Sequence, residues 1–299
     1  MPTPVIIAWS VAFSATAIAI IVGNSLTIAA FLKSAKLVRM RACYFLVSLA
    51  IADMMIGIIT VPMYIILLNY HLQNREYQSI YTAVDIASGF ASVFTLTAIS
   101  LERLYAFWFP FKYRVAQTMR VYMGLVLIIW IMSSVITCLH MLFRYEIISY
   151  THFFFIMFCS LTTCLLVMCT SYIGMWFKVH YHYRQNNRTP ANEKKFARMI
   201  FTITALFIFT WLPFHLLNII NFFCGLCLKN HLPHNLLFFC KLLQYMNSFV
   251  NPIIYAFQMP EFKNTLVKLL CKPSPAREES RRIEELPLEK LDDCHDDKM

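Results

Sequence analysis

The chain has 299 residues, 59% of them hydrophobic and 14% charged, with a mean hydropathy of +0.59 and a formal net charge of +10. A soluble domain is nearer a quarter charged, so the composition excludes a soluble globular protein and points to an all-α polytopic membrane protein. The surplus of bases follows membrane topology, which excludes a nucleic-acid partner.

Seven apolar segments of spanning length are predicted at about 5–32, 42–68, 78–108, 121–143, 147–177, 196–223 and 235–257. With the N-terminus outside, 22 of the 26 Lys and Arg fall on the inner side. Arg75, Arg144, Lys229 and Lys241 fall on the other side. The positive-inside rule therefore predicts N-out, C-in. The first segment lacks a basic n-region and is too long for a signal peptide's apolar run. The sequon Asn187-Arg188-Thr189 falls in a predicted inner loop and is expected to be unglycosylated.

Asn24 and Asp53 are polar groups inside apolar runs. Asn24 reads as helix–helix glue and Asp53 as a functional buried acid. The third segment, Tyr77 to Trp108, is expected to be the central helix. Asp85 and Arg103 are 18 residues apart, hence on one face and about 27 Å apart along the axis. Ser92 lies on the same stripe. Such groups require a bundle interior around them.

Trp130 in the fourth segment reads as packing. The loop from Arg144 to His152 is short and lacks cysteine; the fifth segment lacks proline and carries Tyr172 near its inner end. His180 and His182 are placed in the following loop. In the sixth segment Phe207, Trp211, His215 and Asn218 share a face, and Pro213 predicts a kink below a pocket floor. In the seventh, Tyr245, Ser248, Asn251 and Tyr255 share a face, and Pro252 frees the carbonyl of Ser248. Cys224 and Cys227 sit in an oxidising outer loop where a local disulfide competes with two free thiols. Pro260 to Cys271 predicts an amphipathic surface helix with Phe262, Leu266, Leu269 and Leu270 on its apolar face. Cys271 is a palmitoylation candidate. The organisation is thus a bundle over 1–258, a surface helix over 259–271 and a disordered cytoplasmic tail over 272–299.

These residues resemble the rhodopsin-like G-protein-coupled receptors. The motifs are Gly23-Asn24, Leu49-Ala50-Ile51-Ala52-Asp53, Glu102-Arg103-Leu104, Trp130, Tyr172, Trp211-Leu212-Pro213 and Asn251-Pro252-Ile253-Ile254-Tyr255. The resemblance implies a plasma-membrane receptor, not an enzyme, that binds an extracellular small ligand and activates a heterotrimeric G protein. Arrestin, a receptor kinase and membrane lipid are further implied partners. Arg103 with Glu102 and Glu193 is implied as the inner-face switch, with Tyr172, Phe207, Pro213, Pro252 and Tyr255 as moving parts. Asp53, Ser92, Asn247, Ser248 and Asn251 match the family's sodium pocket, so Na⁺ is an implied allosteric ion and no other cofactor is expected.

Two departures bear on the branch. Gln78 stands where the family has a cysteine, and the fifth-segment proline is missing; both look like melanocortin receptors. The run Trp211 to Asn218, with His215 and Asn218, looks like adenosine receptors, although Gln244 and Tyr245 replace the expected seventh-segment Ser and His. Asp85 with Tyr245 looks like amine receptors, whose acid binds the ligand ammonium. The ligand site is accordingly expected at Asp85, Trp211, Phe214, His215, Asn218, Gln244 and Tyr245. An amine-like or adenosine-like ligand is favoured, with a melanocortin-like peptide or a transporter or proton-pump function as alternatives.

Overall fold

The computed structural model describes residues 3–39, 43–70, 74–116, 118–185, 191–224 and 233–270. The first helix, α1 (Thr3–Lys33), buries Phe13, Ala17, Ile20, Asn24, Thr27 and Phe31. Their alternating spacing of four and three residues gives one continuous seam for a neighbouring helix. A short α2 (Ala35–Arg39) follows. The second span is α3 (Cys43–Met55), a π turn over Ile56–Thr60, and α4 (Val61–Tyr70). Pro62 has no N–H and crowds the turn before it, and the chain widens there; Val61 N–H donates to the Ile56 carbonyl.

The third span, α5 (Arg75–Trp108), is the central post. Asn74 caps it, accepting from the N–H groups of Glu76 and Tyr77. In its most apolar window 61% of residues are buried, against 33% at most in any other span, so α5 is the helix the others pack around. After α6 (Pro110–Ala116) comes α7 (Met119–Arg144), fixed to its neighbours by polar side chains. Trp130 Nε1 donates to Ser48 Oγ at 3.1 Å, and Ser133 Oγ donates to the Ala87 carbonyl. The tight turn to α8 (Tyr150–Gln185) places Glu146 at a φ of 61°.

The fifth span is longer than expected. Helix α8 runs through His180 and His182, so these residues are not in a loop, and α9 (Ala191–Phe223) begins earlier than the predicted 196. The apolar period ends before the helix does, which is why hydropathy alone truncates it. Helix α10 (His234–Gln258) completes the bundle, followed by α11 (Pro260–Leu270). By length and apolar composition α10 is not among the six helices that qualify as spans. Its inner face carries Lys241, Gln244, Asn247, Ser248 and Asn251, all buried, which lowers its hydropathy.

Two contacts close the ring of helices between α1 and α10. Asn24 Nδ2 donates to the Ser248 carbonyl at 3.0 Å, so the group freed by Pro252 is satisfied by the polar residue of α1. A Cβ at Gly23 would stand 3.1 Å from the Pro252 ring, so the missing side chain lets the two helices meet. In α11, Phe262 is fully buried against Phe31 and Tyr255, while Leu270, expected on the same face, is exposed. The chain is a multi-pass helical bundle.

Candidate functional site

At the Asp85 end, two helices present one polar knot. On α5, Tyr81 and Asp85 are one turn apart; on α10, Lys241, Gln244 and Tyr245 follow at three and four residues. Lys241 Nζ donates to Asp85 Oδ2 at 2.7 Å and to Gln244 Oε1 at 3.0 Å. The two charged side chains are 8% and 14% exposed. Around the ammonium stand the rings of Phe214 at 4.6 Å, Tyr245 at 4.8 Å and Tyr81 at 5.9 Å. The Tyr81 and Tyr245 hydroxyls are hydrogen-bonded to each other at 2.9 Å, and Tyr64 stacks on Tyr81.

This geometry corrects two expectations. Lys241, expected only as a base on the outer side, has its ammonium inside the bundle on Asp85. Tyr245, set beside Asp85 by the amine-receptor resemblance, instead has its hydroxyl bonded to that of Tyr81, while the acid is held by Lys241. The cation that the amine reading assigned to a ligand is supplied by the chain. Gln244 is brought into the site, but as an acceptor for Lys241.

One layer away, Trp211 stacks with Phe207 at 5.5 Å and packs over Gly89, where a Cβ would stand 3.4 Å from the indole. His215 stacks face to face on Phe158 at 5.2 Å, and Phe222 stacks on Phe154 at 3.9 Å, forming an aromatic seam between α8 and α9. Trp211 Nε1 and His215 Nε2 are buried without a hydrogen-bond partner among the described residues. Asn218, a turn further along α9, is partly buried.

In mid-bundle, Asp53 is fully buried, and Asn251 Nδ2 donates to its Oδ2 at 2.8 Å. The hydroxyls of Ser248 and Ser92 stand next to the same carboxyl. Asp53 Oδ1 and Ser92 Oγ make no hydrogen bond among the described residues. A buried carboxylate oxygen and the Ser92 hydroxyl, both without a partner among the described residues, beside the Ser248 hydroxyl and the Asn251 amide, are a donor set that fits a hard cation. Asn247 instead accepts a hydrogen bond from Thr210 on α9 at 3.4 Å.

At the opposite end, Arg103 Nε lies 2.9 Å from Glu102 Oε2. Glu102 Oε1 accepts from Tyr113 on α6 and from Tyr122 on α7. Burial, and then the Glu102 carboxylate, push the Tyr113 phenol up to about 12, so it remains a donor at neutral pH. Lys178 donates to the carbonyls of Phe107 and Trp108, a cation at the C-terminus of α5. Tyr172 packs on Phe201 at 4.7 Å, and the Tyr255 hydroxyl is buried without a partner among the described residues. The side chain of Glu193, and Cys227 and Cys271, lie outside the described residues. Cys224 is disulfide-bonded.

Sequence reasoning missed Lys241, Tyr81, Tyr113 and Tyr122. For Lys241 a signal existed: it lies four and seven residues before Tyr245 and Ser248, on the same stripe of the seventh segment. For the two tyrosines on Glu102 none existed, because they come from separate elements.

Residues 23–255 match the family model described as 7 transmembrane receptor (rhodopsin family), and the chain belongs to that family. It is similar to the adenosine receptor A3 of Canis lupus familiaris, 26% identical over 79% of this chain and 84% of the relative. The adenosine receptor A2b of Gallus gallus is 27% identical over 77% of this chain and 78% of its own length. The adenosine receptor A3 of Ovis aries is 27% identical over 79% and 83%. The protein is a rhodopsin-like receptor similar to adenosine receptors; it binds a small ligand, couples to a G protein and is not an enzyme. The transporter alternative falls with this match.

Proposed function

We propose that the chain is a plasma-membrane receptor, N-terminus outside, whose Asp85 end receives a small uncharged ligand of nucleoside type. The Arg103 end then faces the G protein, and arrestin, a receptor kinase and the lipid surface meet the same side. The observation that carries the ligand class is the internal satisfaction of Asp85: a ligand needs no ammonium there, whereas Trp211 Nε1 and His215 Nε2 are buried polar atoms without a partner among the described residues. His215 and Asn218 offer hydrogen bonds to a heterocycle, and the Phe158–His215 seam offers stacking faces. The adenosine receptors among the relatives support the same class.

The Asp53 cluster is the proposed Na⁺ site. Asp53, Ser92, Ser248 and Asn251 would hold the ion, which supplies a positive charge tying α3, α5 and α10 in the resting arrangement. Agonist release of that arrangement moves the α9 and α10 hinges at Pro213 and Pro252 and frees the Arg103 end.

The test is binding of a panel of nucleosides and biogenic amines to membranes holding the receptor. A nucleoside is expected to bind, and His215→Ala is expected to weaken it by about 1–3 kcal/mol, roughly 5- to 150-fold. Saturable binding of amines alone, indifferent to His215→Ala, contradicts the reading.

A further inference from the structure

We propose that Lys241 is a specificity-determining residue: its tethered ammonium occupies an amine-recognition site built around Asp85, so the receptor excludes free alkylammonium ligands. The inference uses the proposed ligand pocket only for its location, and not the nucleoside assignment.

The parts around Lys241 Nζ are those that recognise a primary ammonium. There is a carboxylate oxygen at 2.7 Å, an amide oxygen at 3.0 Å, and three aromatic rings within 6 Å. They come from α5, α9 and α10, so they converge on a point in space and not on a local turn. Lys241 itself is 6% exposed, and its stem runs from α10 to the acid on α5. The occupied site is neutral overall, which is what permits both charges to stay in the bundle.

Tethering decides the competition. A group held on a short flexible stem acts at an effective concentration of at least millimolar order. A free amine at micromolar concentration therefore faces a disadvantage of about a thousandfold before any difference in contacts. Amines are excluded by occupancy and not by a hostile surface. Removing the stem should expose the site.

Lys241→Ala deletes three methylenes and the ammonium, the outline of n-propylammonium. Thermal unfolding of the purified receptor in micelles is measured with n-propylammonium and with 1-propanol, which has the shape without the charge. The amine, at about the millimolar concentrations that the tether represents, is expected to raise the Tm of Lys241→Ala while 1-propanol does not. It is expected to leave the unmodified receptor and the neutral double variant Lys241→Ala/Asp85→Asn unchanged. An amine shift of equal size in all three proteins, or none in Lys241→Ala, overturns the proposal.

If Lys241→Ala is recovered poorly, the same compounds are added during expression. Folded yield restored by n-propylammonium and not by 1-propanol supports the proposal. Yield indifferent to the amine, with the double variant folding normally, overturns it. A receptor that fails to bind nucleosides leaves these outcomes unaffected, so the two readings fail separately.

Discussion

Lys241→Met is expected to destabilise the receptor by about 3–5 kcal/mol, and adding Asp85→Asn is expected to recover most of the loss. Both side chains are largely withdrawn from solvent, at 8% and 14% exposure, so removing one strands the other charge in a low-dielectric bundle. The double substitution puts neutral groups of similar volume, an amide and a thioether, at the two positions, a change that often proves neutral in other buried pairs. By the usual scaling the single variant should lose roughly 6–20 °C in Tm. The double-mutant cycle is read from thermal unfolding in micelles. Single and double losses that simply add, with no coupling, would show that the two charges do not meet.

The second large effect concerns Asp53. Sodium is expected to lower agonist affinity about tenfold, because an ion bound to the resting arrangement must be released when agonist favours the other. Asp53→Asn is expected to remove that dependence while leaving the Asn251 contact to its remaining oxygen. The physical ground is the buried Asp53 Oδ1 and Ser92 Oγ, which have no hydrogen-bond partner among the described residues. Agonist binding is measured in sodium and in a large organic cation at equal ionic strength. Affinity indifferent to Na⁺ in the unmodified receptor removes the site.

What was legible in the chain was whatever one helix displays by itself or pairs by a simple rule. Pro252 announced a free Ser248 carbonyl, Asn24 announced a donor in an apolar run, and the structure joins them. Asp53 announced a buried acid, and Asn251 is its partner. The length and buried fraction of α5 followed from the Asp85–Arg103 stripe. What was not legible depended on neighbours or on where a helix ends. Counting Lys241 only as an outer-side base served the topology rule but hid its place three residues before Gln244. The Glu102 cage draws one tyrosine each from α6 and α7, and no periodicity within α5 reports residues from other elements. The end of α8 at Gln185 was hidden because polar helix beyond a span has the composition of a loop.

The internal pair also changes how the alternatives compare. Asp85 was the strongest argument for an amine ligand, and its partner now comes from α10. His215 and Trp211 are left as carriers of buried polar atoms that a ligand can satisfy, and both belong to the run shared in pattern with adenosine receptors.

The most direct measurement of the central claim, that the cation at Asp85 is the chain's own Lys241, is amine labelling read by mass spectrometry. The folded receptor in micelles is treated with an acylating reagent, so that both ends are accessible. Lys36, whose side chain is 77% exposed, is expected to label readily, while Lys241, 8% exposed and paired, is expected to be protected. Asp85→Asn is expected to release that protection. Lys241 labelling as fast as Lys36 in the unmodified receptor would contradict the account.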